Sequence, residues 1–313
     1  MSDFKYPLED YVNKVDDCIG LLTGHLNTGS LSLFLGAGAS SGFGLPNWKT
    51  LVENCAIEGI AGFTPRPDPP SKPGFPPDPA YTNQELKQIM DEVKRNASAT
   101  YLEIIHRHLY AGVNFDFSLL KNKDLLIAIT SLFIGQTRGS VQNVLTYNFD
   151  SVLEWYLNFN GLRTNVTTFE NLLFSNGDVD VLHIHGFIPF SKDHGDQSNE
   201  VVFSKKEFES RQVGESYWKD MMNEFFRRNV FLSVGVGPES LIDDVCPYLL
   251  ELLKWHGRFN IKRLYPFGFA FLTRCDGTQE KDLVEAGIIP CVIEVSKIPE
   301  AVFNISQRAM AKA

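Results

Sequence analysis

The sequence predicts an α/β protein built on a mostly parallel sheet, with helices on both faces and a helical insertion. Three observations lead there. From residue 141 to residue 295, short apolar runs alternate with segments of helical period, the pattern of parallel strands joined by helical crossovers. The run Leu31-Ser-Leu-Phe-Leu passes straight into Gly36-Ala-Gly38-Ala-Ser40-Ser41-Gly42, a buried strand entering a glycine-rich turn. A second apolar run, Val230 to Val234, enters Gly235-Val-Gly237 in the same way.

Length and composition bound the rest. The 313 residues, 43% apolar and 21% charged, suffice for one large core, and 1–313 is read as a single domain. A net charge of −9 with no basic stripe excludes the electrostatic footprint of a nucleic-acid binder. No apolar run reaches the roughly 18 residues of a membrane span. The stretch MSDFKYPLEDYVNKVDD lacks the basic and apolar regions of a signal peptide. Cysteines 18, 55, 246, 275 and 291 are scattered and never form a CxxC pair, which suits free thiols in the cytoplasm.

Taken in order, residues 8–28 carry apolar positions at helical spacing (Leu8, Val12, Val15, Ile19, Leu22, Leu26) and predict one amphipathic helix. The first strand and glycine turn follow, then a helix from Trp48 to Ile57. Phe63 to Ala80 holds eight of the sixteen prolines and predicts an exposed extended loop. With helices over 84–111 and 116–137, it makes 60–140 an insertion in the α/β frame. Strands are expected over Val141–Tyr147, Val179–His185, Val230–Val234, Leu264–Leu272 and Ile288–Val295. Helices are expected over Asp150–Leu157 and about 206–228, 239–255 and 279–286.

The glycine turns suggest phosphate chemistry. Glycine lets the backbone approach a ligand with no Cβ in the way, and a helix that follows directs N–H groups and its positive dipole end at an anion. The spacing is GxGxxxG, with Ser41 where GxGxxG would need glycine, and no acidic residue ends a strand about 20 positions on. No lysine follows as in a phosphate-loop NTPase. A tight strand-to-helix turn with no ligand accounts for the same residues.

Three motifs fall at strand ends, where open α/β sheets bind ligands: GAGASSGFGLPNW (36–48), TYNFD (146–150) and HIHGFIP (183–189), followed by FLSVGVG (231–237). In that order, over roughly residues 30–295, the chain resembles the sirtuin-like NAD-consuming fold, a Rossmann-like architecture. It departs from protein-deacylating sirtuins in two ways. Residues 186–230 contain no cysteine where those enzymes carry a four-cysteine zinc module, and Tyr147 stands where they commonly have glutamine. Both departures, with Gly44-Leu45-Pro46-Asn47-Trp48, make it similar to the zinc-less sirtuin-like NAD hydrolases of bacterial antiphage defence.

That resemblance implies an NAD hydrolase with NAD as substrate and no metal, and it implies a catalytic pair, Asn148 and His185. Their chemistry suits the part: an amide offers both donor and acceptor, and an imidazole titrates near neutrality as a general base. By the same resemblance Asp150 contacts the carboxamide of nicotinamide. The cofactor pocket is lined by Gly36, Ala37, Gly38, Ala39 and Ser40, with Gly235, Gly237 and Ser240 at the later turn. The resemblance further implies a homo-oligomer or an ATPase or sensor partner that restrains NAD depletion in abortive infection. An NAD-dependent deacylase and a non-catalytic NAD or ADP-ribose sensor are the alternative functions.

Each residue also has a plainer role. Asn148 or Asp150 could cap the helix that follows, and His185 could be a hydrogen-bonded core histidine. Ser240 could meet the adenosine ribose or cap a helix. His183 and His185 share a strand face, which invites a metal site with Asp193 and His194 nearby, although zinc needs a fuller ligand set. Glu154 reads as structural.

Overall fold

A computed structural model describes residues 7–67, 80–113, 123–135, 139–168, 177–191, 198, 201–203, 217–259 and 263–310. Seven strands form one sheet: β1 (Leu31–Leu35), β2 (Asn143–Thr146), β3 (Thr164–Thr168), β4 (Val179–His183), β5 (Val230–Val234), β6 (Gly268–Leu272) and β7 (Ile288–Val292). Their order is β3-β4-β2-β1-β5-β6-β7, and every adjacent pair is parallel. The expected mostly parallel sheet is thus wholly parallel among the described residues. All five residues of β1, β5 and β6 are buried, because crossover helices cover both faces. The chain reverses its direction across the sheet between β1 and β5, and open α/β sheets bind ligands at the carboxyl ends of strands at such a switch.

On one side α1 (Val15–Asn27) packs on the C-terminal helix (Ile298–Met310), which also packs on the helix Asp124–Ser131. The C-terminal helix was not among the expected elements. It buries Ile298, Ala301, Val302, Ile305 and Ala309, an apolar stripe at helical spacing. A second, smaller hydrophobic cluster joins α2 (Trp48–Gly59), α3 (Asn83–Asn96) and α4 (Tyr101–Leu109) to Ile188, Val201 and Phe203. This cluster stands beside the carboxyl ends of the central strands through Ile188, which follows β4.

Several elements differ from expectation for visible reasons. The helix expected over 8–28 is a 3₁₀ turn at Leu8–Tyr11 followed by α1. Asn13 between them has φ +58°; its amide donates to the Pro290 carbonyl and its side chain accepts from the Val292 amide. Binding the edge strand β7 therefore interrupts the helix. The helix expected over 84–111 is α3 plus α4, and α3 begins at a capping box between Thr82 and Glu85. Of the helix expected over 116–137, Asp124–Ser131 is helical, while 114–122 and 136–138 lie outside the described residues. So do 68–79, most of the proline-rich stretch, and 204–216, the start of the helix expected near 206.

Among the described residues, no helix is long and apolar enough to cross a membrane.

Candidate active site

The floor of the site is main chain. β1 runs into Gly36, and Ala37–Ser40 forms a single helical turn, not the start of a long helix; the dipole expected to face an anion is that of one turn only. The turn after β5 meets it directly. Gly36 N donates to Val234 O at 3.1 Å and Gly38 N to Gly235 O at 3.0 Å. A Cβ on Gly36 would lie 2.5 Å from Gly235 O, one on Gly38 2.7 Å from Gly235 Cα, and one on Gly235 2.5 Å from Ala39 N. Gly235 also has φ +74°, a conformation that disfavours side chains. The contact between the two turns requires these glycines.

Polar side chains stand above this floor at the ends of β1 and β2. Ser40 Oγ donates to Asp150 Oδ1 at 3.1 Å and accepts from Asn148 Nδ2 at 3.0 Å. Asp150 Oδ1 also accepts from the Val152 amide at 3.0 Å, so it serves the start of the helix Val152–Phe159 while belonging to the site. Asn148 is held at its backbone too: its N–H donates to Thr146 Oγ1 and its carbonyl accepts from His183 Nδ1 at 2.7 Å.

Beneath Asn148 lies a buried ion pair. His183 Nε2 is 2.7 Å from Glu154 Oε1, and both side chains are essentially sealed from solvent. Burial alone would lower the His183 imidazole, yet the Glu154 carboxylate and the bond to Asn148 outweigh it and hold its pKa above the ordinary value. With Nδ1 donating to a carbonyl and Nε2 facing a carboxylate, His183 supports Asn148 and is not available to a metal. His185 lies beyond the end of β4, in the turn, so the shared strand face expected for the two histidines does not form. Among the described residues no group of three metal-ligating side chains occurs; Asp193 and His194 lie outside them.

His185 faces the same cleft as Asn148. Its ring stacks on Tyr147, with centroids 4.5 Å apart and planes within 3°, and its carbonyl accepts from the Val202 amide at 2.7 Å. A cavity of about 330 Å³ is lined by Gly36, Ala37, Ser40, Asn148, Asp150, His185, Gly235, Gly237 and Ser240. Gly38 and Ala39 instead line a neighbouring cavity of about 620 Å³. The two share Gly235, Val236, Gly237 and Glu239, so they adjoin across the second glycine turn. Ser240 follows Pro238 and Glu239 in a short turn and makes no side-chain cap.

Burial, with the Glu154 carboxylate adding to it, pushes the Asp150 carboxyl up to about 6 against the Val152 amide and Ser40 hydroxyl that favour its charge. Among the cleft residues that sequence reasoning missed are Tyr147 as the stacking partner of His185, and Lys87 and Asp244, which approach from α3 and from the turn Leu241–Val245. Lys87 and Asp244 lie 157 positions apart in a chain without a spacing signal to join them.

A search among curated proteins finds no significant match. The SIR2-like domain, a family of NAD-dependent enzymes, is matched by its family model over residues 142–281. That span holds Asn148, Asp150, His183, His185 and the second glycine turn, and it is narrower than the 30–295 of the resemblance read from motifs, leaving out β1 and the first glycine turn. Residues 142–281 are thus similar to a sirtuin-like domain.

Proposed function

We propose that the chain is an NAD glycohydrolase that splits the nicotinamide–ribose bond to give nicotinamide and ADP-ribose. The observation that carries this reading is the convergence of Asn148, Ser40, Asp150 and His185 on one cleft at the carboxyl ends of the central strands. Water attacks the anomeric carbon as the bond to the pyridinium nitrogen breaks; the bonding pair stays on nitrogen and nicotinamide leaves neutral. His185 takes the proton from water, and one proton is released overall. Asn148, its Nδ2 engaged by Ser40, offers its Oδ1 to a ribose hydroxyl or to the water. Holding these groups in place from both β2 and β4 supplies the orientation such a reaction needs. Asp150 receives the carboxamide, and the paired cavities accommodate the two halves of an extended dinucleotide.

The absence of cysteine from 186–230 favours water over an acylated peptide as acceptor, against the deacylase alternative. Resemblance to zinc-less defence hydrolases supports a cytoplasmic role in depleting NAD during abortive infection, restrained by self-assembly or by an ATPase or sensor partner. The test is nicotinamide release from NAD, with and without acylated peptide, by the wild-type chain and by Asn148→Ala and His185→Ala. Each variant should lose about 100-fold or more while remaining folded. Wild-type rates in both variants would overturn the assignment, and peptide-dependent release would establish the deacylase.

A further inference from the structure

The cleft has a second chemical character, aromatic and acidic, that His185 and Asp150 share with residues outside the reacting set. Five rings follow one another along it: Trp48 and Phe203 at 5.2 Å, Phe203 and Phe149 stacked at 3.9 Å, Phe149 and His185 at 6.0 Å, and His185 and Tyr147 at 4.5 Å. All five line the same cavity, together with the carboxylates of Asp150, Asp243 and Asp244. Aromatic faces and carboxylates in a cleft partly shielded from water both attract a cation.

Asp244 is the distinctive member. It is 8% exposed, and its buried Oδ1 has no hydrogen-bond partner among the described residues. Lys87 Nζ lies 3.6 Å from that oxygen, within ion-pair range and beyond hydrogen-bond length. The residue sits on a π-helical turn, Leu241–Val245, wedged between the short turn Pro238–Ser240 and the helix Cys246–Arg258. Such turns interrupt helical register and are frequent at functional sites. Pro247, near the start of the following helix, has no amide to donate back to this turn. Burial pushes the Asp244 carboxyl up to about 6, with Lys87 opposing, so it is still mainly ionised at neutral pH.

We propose that Asp244 is a specificity-determining residue that selects a positively charged heteroaromatic ring, the oxidised pyridinium of a dinucleotide, over its neutral reduced form. This rests on the NAD reading above. Lys87 stands in the cation's place at the carboxylate, and the pyridinium displaces it, sandwiched between Asp244 and the row of rings. The reduced ring fits the same aromatic wall without repaying the separation of Lys87 from Asp244.

The test is calorimetric titration of NAD+, NADH and ADP-ribose into the Asn148→Ala chain, which keeps all five rings and should lack turnover, and into the same chain carrying Asp244→Asn or Asp244→Glu. The parent should prefer NAD+ to NADH. Asp244→Asn should weaken NAD+ about tenfold and leave NADH and ADP-ribose within about twofold, and Asp244→Glu should restore the preference. Lys87→Met, a second and independent variant, should strengthen NAD+ relative to NADH. An equal change for all three ligands in both Asp244→Asn and Lys87→Met, no change in either, or a parent without preference overturns the assignment of Asp244 alone. Failure of the parent to bind either NAD+ or ADP-ribose overturns the nucleotide reading, and this inference with it.

Discussion

Replacing Asp150 by Asn should stabilise the fold at neutral pH while it weakens the cleft's function. The carboxylate is 6% exposed, and its Oδ1 accepts from the Val152 amide and the Ser40 hydroxyl. An asparagine oxygen at the same place can accept both bonds, so the substitution removes the charge and little else. Burial raises the folded-state pKa from 3.8 to about 6. Below 3.8 both folded and unfolded chains hold the proton and there is no penalty. Between 3.8 and about 6 the unfolded chain releases its proton while the folded chain keeps it, so stability falls as pH rises. Above about 6 the full penalty remains; at about 1.36 kcal/mol for each tenfold in proton affinity, it comes to about 3 kcal/mol. Denaturant unfolding of wild-type and Asp150→Asn should therefore show a gain of about 1 kcal/mol near pH ~4.5, growing to about 3 kcal/mol near pH ~7.5. A difference that does not change with pH, or a loss of stability at neutral pH, would refute the reasoning. A buried carboxylate kept at such a cost is typical of a site held for chemistry rather than for folding.

Gly235→Ala should destabilise the fold by about 3 kcal/mol or more, because a left-handed residue and an overlap with the Ala39 amide are imposed together; an unaltered thermal midpoint would contradict it. Gly24→Ala is the matched control. Nothing lies within 4 Å of a Cβ there, and its position in α1 predicts a gain of about 0.5–1 kcal/mol in denaturant titration. Tyr110→Phe should cost about 2 kcal/mol, since the hydroxyl donates to Ile188 O at 2.6 Å and accepts from the Ser151 amide at 3.0 Å. Because these bonds tie α4 to the start of the helix bearing Glu154, the variant should also expose the Ser151 amide to faster hydrogen exchange.

Much of the frame was legible in the residues themselves. Leu31–Leu35, Val230–Val234 and the core of Leu264–Leu272 are apolar almost throughout, which is how a strand covered on both faces must look. β3 was not legible: Thr164-Asn-Val-Thr-Thr carries a single apolar residue, as an edge strand half open to water can. Asn148, Asp150 and His185 stood out because they lie in motifs at strand ends whose order resembles the sirtuin-like fold. The glycines stood out too, but their reason was hidden, since only the folded chain shows Gly36 and Gly38 pressed against Gly235. His183 and His185 look equivalent by alternation. Their different fates depend on β4 ending at His183 and on Glu154, a partner 29 positions earlier.

The site is assembled from two materials with different tolerance to change. The floor is bare backbone, where three glycines admit no methyl group without collision. The wall is made of side chains, Trp48 and Leu51 from α2 and Lys87 from α3 together with Tyr147, Phe149, His185, Phe203 and Asp244 from turns and loops. The backbone floor and the side-chain wall therefore differ in the substitutions they admit. Exchanging a wall residue alters which ligand is held, whereas a methyl group on the floor pushes the two turns apart and disturbs every side chain that stands on them.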